Sequence, residues 1–284
     1  MKKLIFACAI LAAFSFTQKQ KKLKKLDGYV FVPSGSIERE GQQYSCAAFW
    51  MSDHEVTNGE YGFFLKHLLK EGRTDAYKKA LPDTSAWTNI GGHLTSMRDH
   101  YLSHPAYMNY PVVNVSTEGV KLYCEYLTEQ LKTIYGDQIN PFRLPTRKEW
   151  MYAASGGNNR YIYSWGGPEM RNDKGDYLAN FRRVGDYNIT LTPEGPKVVE
   201  DSLRFSYPID DNAYITAPSK SYYENEFGLY NMCGNVAELV ADEKTVVGGD
   251  WHSPGYDIRI ESKRKFTGPS PFVGFRPVMT FIQN

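Results

Sequence analysis

With 284 residues and 42% apolar content, the chain is long enough to bury one large core or two small ones. Its 33 basic and 32 acidic residues leave a net charge of +1, which excludes both a basic field for nucleic acid and the acidic excess of a disordered chain. Aromatic residues reach 14%, with 21 Tyr, 24 Gly and 15 Pro, a balance that argues against a helix bundle and for a loop-rich fold packed by rings.

Met1-Lys2-Lys3 followed by the apolar run Leu4 to Phe16 reads as a secretory signal peptide over 1–17. The run is shorter than a membrane-spanning helix needs. Ile5 to Cys8 resembles a lipid-attachment box, but few apolar residues precede Cys8. Residues 18–26 form a basic linker able to touch anionic headgroups, and 27–284 form the domain. The expected location is the periplasm or the outer membrane, with membrane association through the N-terminal segment. If Cys8 leaves with the signal, Cys46, Cys124 and Cys233 remain, an odd number that argues against a disulfide-stapled fold.

Leu26 to Ser36 alternates like a first strand and ends at Pro33 and Gly35; Phe49 to Val56 reads as a second. Thr57 and Glu60 then form a capping box, and Tyr61, Phe64, Leu65 and Leu68 fall on one helix face. Residues 71–110 look irregular and polar. His100 and His104 have a spacing that could hold zinc on a helix, but Pro105 follows at once and no third ligand stands nearby. Ser116 caps a helix striped by Val120, Tyr123, Cys124, Leu127 and Leu131, in which Cys124 reads as a small buried hydrophobe. Thr146 and Glu149 make a second capping box, with Trp150, Ala153 and Ala154 facing inward. Residues 182–208 look like an inserted loop. In Asn231 to Glu238, two side-chain oxygens flank a turn at Gly234-Asn235, an arrangement of oxygen donors that suits calcium.

These segments carry a resemblance. Val30 to Gly35, Glu55 to Phe64, Phe142 to Gly157, Tyr163 to Gly167, Tyr177 to Phe181, Asp210 to Pro218, Phe227 to Glu238, Val247 to Trp251 and Val273 to Arg276 follow, in order, the motifs of the formylglycine-generating enzyme (sulfatase-modifying factor) family. His104 to Ser116 resembles the gliding-motility and type IX secretion lipoprotein branch of that family in Bacteroidetes. The resemblance implies a single compact α+β domain of the formylglycine-generating-enzyme fold, related to C-type lectins, loop-rich with short helices and strands. It implies two structural calcium sites. One would use the side chains of Asn180 and Asp211 with the carbonyls of Phe181 and Ala213; the other would use Asn231, Glu238 and the carbonyls of Gly234 and Val236.

Catalytic members oxidise a substrate cysteine with O₂ at a copper ion held by two thiolates, ligands that suit Cu(I). Aligned on Gly248 to Trp251, those cysteines fall at Ser253 and Ile258, neither of which supplies a thiolate. The expectation is therefore an exported, non-catalytic, calcium-stabilised component of the cell envelope. It would bind secretion or motility proteins, or a peptide or glycan in a cleft near Trp251, His252, Ser253, Tyr256 and Phe272. The alternative is a formylglycine-generating or other metal-dependent oxidase acting on a cysteine-containing peptide. An iron site would need His252, Asp250 and Asp257 plus a second histidine from His54, His93 or His100.

Overall fold

The computed structural model describes residues 25–90, 92–182, 189–198, 213–242 and 244–281. The signal peptide and most of the basic linker lie outside the described residues, as does Asp211. The strand expected over Leu26–Ser36 is divided by Pro33, which has no N–H to donate to a ladder. Tyr29–Val32 forms β1, and a hairpin unannounced by the sequence pattern follows: β2 (Gly35–Arg39) and β3 (Gln42–Cys46), joined at Glu40 and Gly41 with positive φ. The second strand, β4 (Phe49–Ser52), stops short of Val56 because the Ser52 hydroxyl donates to the His54 carbonyl at 2.7 Å and the chain bends.

Both capping boxes form as expected. Thr57 opens α1 (Asn58–Lys70), with its own N–H held by Glu60 at 2.8 Å, and Thr146 does the same with Glu149 for α5 below. Residues 71–110 carry more order than their polarity suggests: α2 (Thr74–Ala80) packs Ala80 into the core shared by α1 and the next long helix, while α3 (Met97–His100) and short 3₁₀ turns surround a small core of Trp87, Leu94 and Tyr101. Single buried rings hold these pieces, and single rings leave no periodic stripe. α4 (Thr117–Tyr135), capped by Ser116, lays Tyr123 on Tyr61 of α1 with ring centroids 5.6 Å apart.

β5 (Phe142–Arg143) and α5 (Arg147–Ala154) follow; β6 (Ile189–Thr192) and β7 (Gly195–Val198) form a hairpin inside the stretch read as an inserted loop. Arg147, at the start of α5, grips both carboxylate oxygens of Glu40 and donates to the Glu261 carbonyl at 2.8 Å, tying the β2–β3 turn to the C-terminal half. The chain ends in β8 (Ala237–Leu239), β9 (Thr245–Val247), β10 (Lys263–Lys265), β11 (Val273–Gly274) and β12 (Val278–Thr280).

Two four-stranded sheets result. One, β1-β4-β12-β5, is antiparallel; the other, β10-β9-β8-β11, has a parallel β8–β11 pair. All four residues of β4 are buried, and alternate ones serve different cores. Phe49 and Met51 join Val32, Val278 and Trp150 of α5; Trp50 joins Met279, Phe142 and the apolar faces of α1 and α4. The central sheet is thus covered by helices on both faces, which is why β4 reads as an unbroken apolar run. Among the described residues no helix is long and apolar enough to cross a membrane.

His54 marks the passage from β4 to α1. Its Nδ1 meets Asp53 and its Nε2 lies 3.4 Å from Glu60 Oε1. Burial disfavours the imidazolium, but the two carboxylates outweigh it and raise its pKa to about 9. The native pKa lies above the ordinary value of 6.5, so this stabilisation is complete below that value and is lost as pH rises through about 9. It amounts to at most about 3 kcal/mol. Urea unfolding followed from pH 6 to above 9 should show this decline, and His54→Gln should flatten it.

Candidate functional site

The turn from Phe227 to Glu238 is anchored from both ends. Asn225 Oδ1 accepts the N–H groups of Phe227 and Leu229, while its Nδ2 donates to the carbonyls of Ala153 and Ala154 at the end of α5. Asn231 and Asn235 both adopt the left-handed conformation (φ 52° and 61°), which Asn tolerates better than most residues. The turn then zips to the Gly-Gly loop: Gly234 N–H donates to the Gly248 carbonyl at 2.8 Å, and Trp251 N–H to the Asn235 carbonyl at 2.9 Å.

Beneath the turn lies Glu55, read from sequence as part of the second strand and of the family motif that leads into α1. Glu55 is fully buried; its two oxygens accept from Asn235 Nδ2 at 2.9 Å and Asn231 Nδ2 at 3.1 Å. Burial pushes its carboxyl up to about 8; Arg276 opposes this and Glu238 adds to it. Asn235 also accepts from Ala217 N–H at 2.7 Å and from Asn180 Nδ2 at 3.2 Å, so one amide joins three segments. The sequence clue was an acidic residue between His54 and Val56, just before the Thr57 helix cap.

Glu238, on the buried strand β8, is engaged on every side. Arg276 Nε reaches both its oxygens (2.9 and 2.8 Å), Arg276 Nη2 reaches Oε1 at 2.6 Å, and Trp150 Nε1 reaches Oε2 at 2.8 Å. Arg276 Nε carries one hydrogen, shared between the two oxygens, so three N–H groups hold the carboxylate. Arg276 and Glu238 are both excluded from solvent. Of the oxygens suggested for calcium at this turn, Asn231 Oδ1 therefore fits, being buried with no hydrogen-bond partner, whereas the Glu238 carboxylate is committed to Arg276 and does not. In the other proposed set, Asn180 spends its Nδ2 on Ile215 and Asn235, which turns its Oδ1 away from them, and its own carbonyl accepts from Asn235 N–H. Asp211 of that set lies outside the described residues.

The Gly-Gly loop leads into the second part of the site. Gly249 has φ 65°, and a Cβ there would stand 2.6 Å from both the Asp257 carbonyl and Ile258 Cγ2, so the residue must be glycine. Ile258 is completely buried under it, in the cluster that holds Trp150, Cys233 and Val247. Ser253 is buried and accepts the Asp250 N–H at 3.2 Å. Cys233 accepts from Ser164 N–H at 3.4 Å; burial raises its thiol pKa to about 12, against the pull of Ser164.

Above this floor opens a cleft of about 320 Å³, walled by Ser253, Tyr256, Asp257, Arg259, Lys263 and Arg264. The five residues expected in one cleft divide into two groups. Ser253 and Tyr256 line this cleft, while Trp251, His252 and Phe272 pack on one another elsewhere (Trp251–Phe272 centroids 4.9 Å, His252–Phe272 5.5 Å). Asp250 is paired with Arg264, and among the described residues no three His, Cys, Asp or Glu side chains gather as a metal site. The rings of His100 and His104 do lie near each other, 6.3 Å between centroids. But His104 Nδ1 accepts the Ala106 N–H, so the neutral ring keeps its proton on Nε2 and offers no outward lone pair.

The family profile described as sulfatase-modifying factor enzyme 1-like domain matches residues 14–281. The chain belongs to this family. It is 30% identical to the formylglycine-generating enzyme of Mus musculus over 74% of this chain and 53% of that one. It is also 29% identical to the inactive C-alpha-formylglycine-generating enzyme 2 of Bos taurus, over 48% of this chain and 34% of that one. The chain thus spans about half, or less, of the length of these curated relatives. The structure of PvdO from Pseudomonas aeruginosa superposes with a TM-score of 0.53 at 19% identity, covering 89% of this chain and 94% of that one. The fold is accordingly the compact α+β fold of formylglycine-generating enzymes. Ser253 and Ile258, where the resemblance would place copper thiolates, carry a hydroxyl and an aliphatic side chain.

Removing one partner of a buried ion pair strands the other charge, at about 3–5 kcal/mol. Glu238→Gln should therefore lower unfolding stability by about that amount. The loss should be the same in calcium and in chelator, as chemical denaturation would measure. A loss seen only in calcium would instead make Glu238 a metal ligand.

Proposed function

We propose that this chain is a non-catalytic member of the sulfatase-modifying factor family, acting as a calcium-stabilised binding and assembly component of the cell envelope. The observation that carries this reading is the fate of the copper positions. Ile258 is an aliphatic side chain packed into the core beneath Gly249, and Ser253 serves the backbone of Asp250. With Cys233 buried and held protonated, no thiolate pair is on offer for Cu(I). The similarity to a bovine protein described as inactive is consistent with loss of catalysis within such folds.

The basic, then apolar, opening of the sequence supports export to the periplasm or outer membrane. The likeness of His104 to Ser116 to the gliding-motility and type IX secretion branch supports partners among secretion or motility proteins. Calcium would be held at the Asn231 turn by that side-chain oxygen and the carbonyls of Gly234 and Val236. The second ion would sit between Asn180, Phe181, Ala213 and Asp211. In this role calcium braces loops, and no chemical step runs through it.

Purified protein supplied with Cu(I) and O₂ should leave a Cys-x-Pro-x-Arg peptide unchanged in mass; formation of the aldehyde would overturn the reading in favour of an oxidase. Cross-linking capture from native envelopes should recover secretion or motility components and lose them on calcium chelation. Asn231→Leu should abolish any rise in melting temperature produced by calcium.

A further inference from the structure

The cleft above Ile258 is rich in hydrogen-bond donors. Arg259 lies flat on the Tyr256 ring, 3.5 Å from its centroid, and spends Nε on the Tyr256 carbonyl at 2.8 Å. Among the described residues it has no carboxylate partner, so the Nη edge of its guanidinium is free. Lys263 lies 3.7 Å from Glu40 and shares that carboxylate with Arg147, so the three groups together carry one positive charge in excess. Arg264 is half exposed and paired with the buried carboxylate of Asp250, which fixes its guanidinium at the cleft wall. Ser253 accepts through Oγ and keeps its hydroxyl hydrogen. Against these donors the wall carries one carboxylate, Asp257, and the floor is apolar at Ala237 and Val246.

Such a site favours an oxyanion. Planar guanidinium groups match a carboxylate in two parallel hydrogen bonds, and a stacked arginine loses little freedom in making them. The volume suits one or two side chains of a bound peptide, in the range of small-ligand clefts. We propose that the cleft formed by Arg259, Lys263 and Arg264 binds the carboxylate side chains of an acidic peptide segment. This rests on the reading of the chain as a binding protein and names the chemistry of its partner.

The test is fluorescence anisotropy on the full chain with labelled oligo-glutamate, oligo-glutamine and oligo-lysine of equal length, and with inorganic phosphate as competitor. Oligo-glutamate should bind tightest, and more weakly at high salt. Arg259→Gln should weaken it roughly tenfold, since one charge-assisted hydrogen bond is lost. Arg259 is half-buried and its replacement removes only its contacts with Tyr256, so the melting temperature should fall slightly, whereas Arg264→Gln also strands Asp250 and is the secondary variant. Equal binding of all three peptides would overturn the acidic preference while leaving a binding protein. Displacement by phosphate at concentrations as low as those of free oligo-glutamate would assign the cleft to a free oxyanion and overturn the peptide. No binding of any probe would overturn the inference outright; the envelope capture would then judge the broader reading independently.

Discussion

The buried pair Arg276–Glu238 is the constraint around which the C-terminal half is arranged. Two opposite charges removed from water are tolerated only where every remaining donor and acceptor is met. Trp150 completes the carboxylate from α5, and the Ser52 and Tyr230 carbonyls complete the guanidinium from the end of β4 and from the turn. One ion pair therefore ties the two sheets, the helix α5 and the turn into a single register. A displacement of any of them would leave a charge without its partner.

Beside that pair, Glu55, Asn231, Asn235 and Asn180 form a second, largely neutral network. Its logic is different: amides satisfy backbone groups of loops that have no ladder of their own, including Ala217, Pro218 and Ser219. A loop-rich fold exposes many such groups, and buried amide side chains take the place of sheet or helix partners. The two networks share the turn and so couple it to the floor of the cleft. The residue that stands out is Asn231, whose Oδ1 is left without a partner inside an otherwise satisfied cluster.

Ile258 extends the core directly beneath Gly249, and the cleft beside that loop has polar walls of arginine, lysine and serine. A concave, pre-formed surface with fixed donors is suited to recognition, with Asp250 orienting Arg264 from behind.

Much of this was legible in the chain itself. Both capping boxes, the apolar faces of α1 and α4, the burial of Cys124 and the order of family motifs are local or linear signals, and each is written in residue type and spacing. The β2–β3 hairpin was missed because its strands are polar and carry no clean alternation, and α2 and α3 because elements of seven and four residues are too short to show a period. Neither the partner of Glu238 nor the depth of Glu55 could be read from spacing, since both depend on residues 38 and 176 or more positions away. The separation of Trp251, His252 and Phe272 from Ser253 and Tyr256 likewise follows from the path of the backbone through Gly249. The sequence by itself determined the capped starts of α1, α4 and α5, the family and the absence of thiols at 253 and 258. Only the tertiary structure decided which carboxylates are free, because a buried charge answers to whatever the fold brings against it.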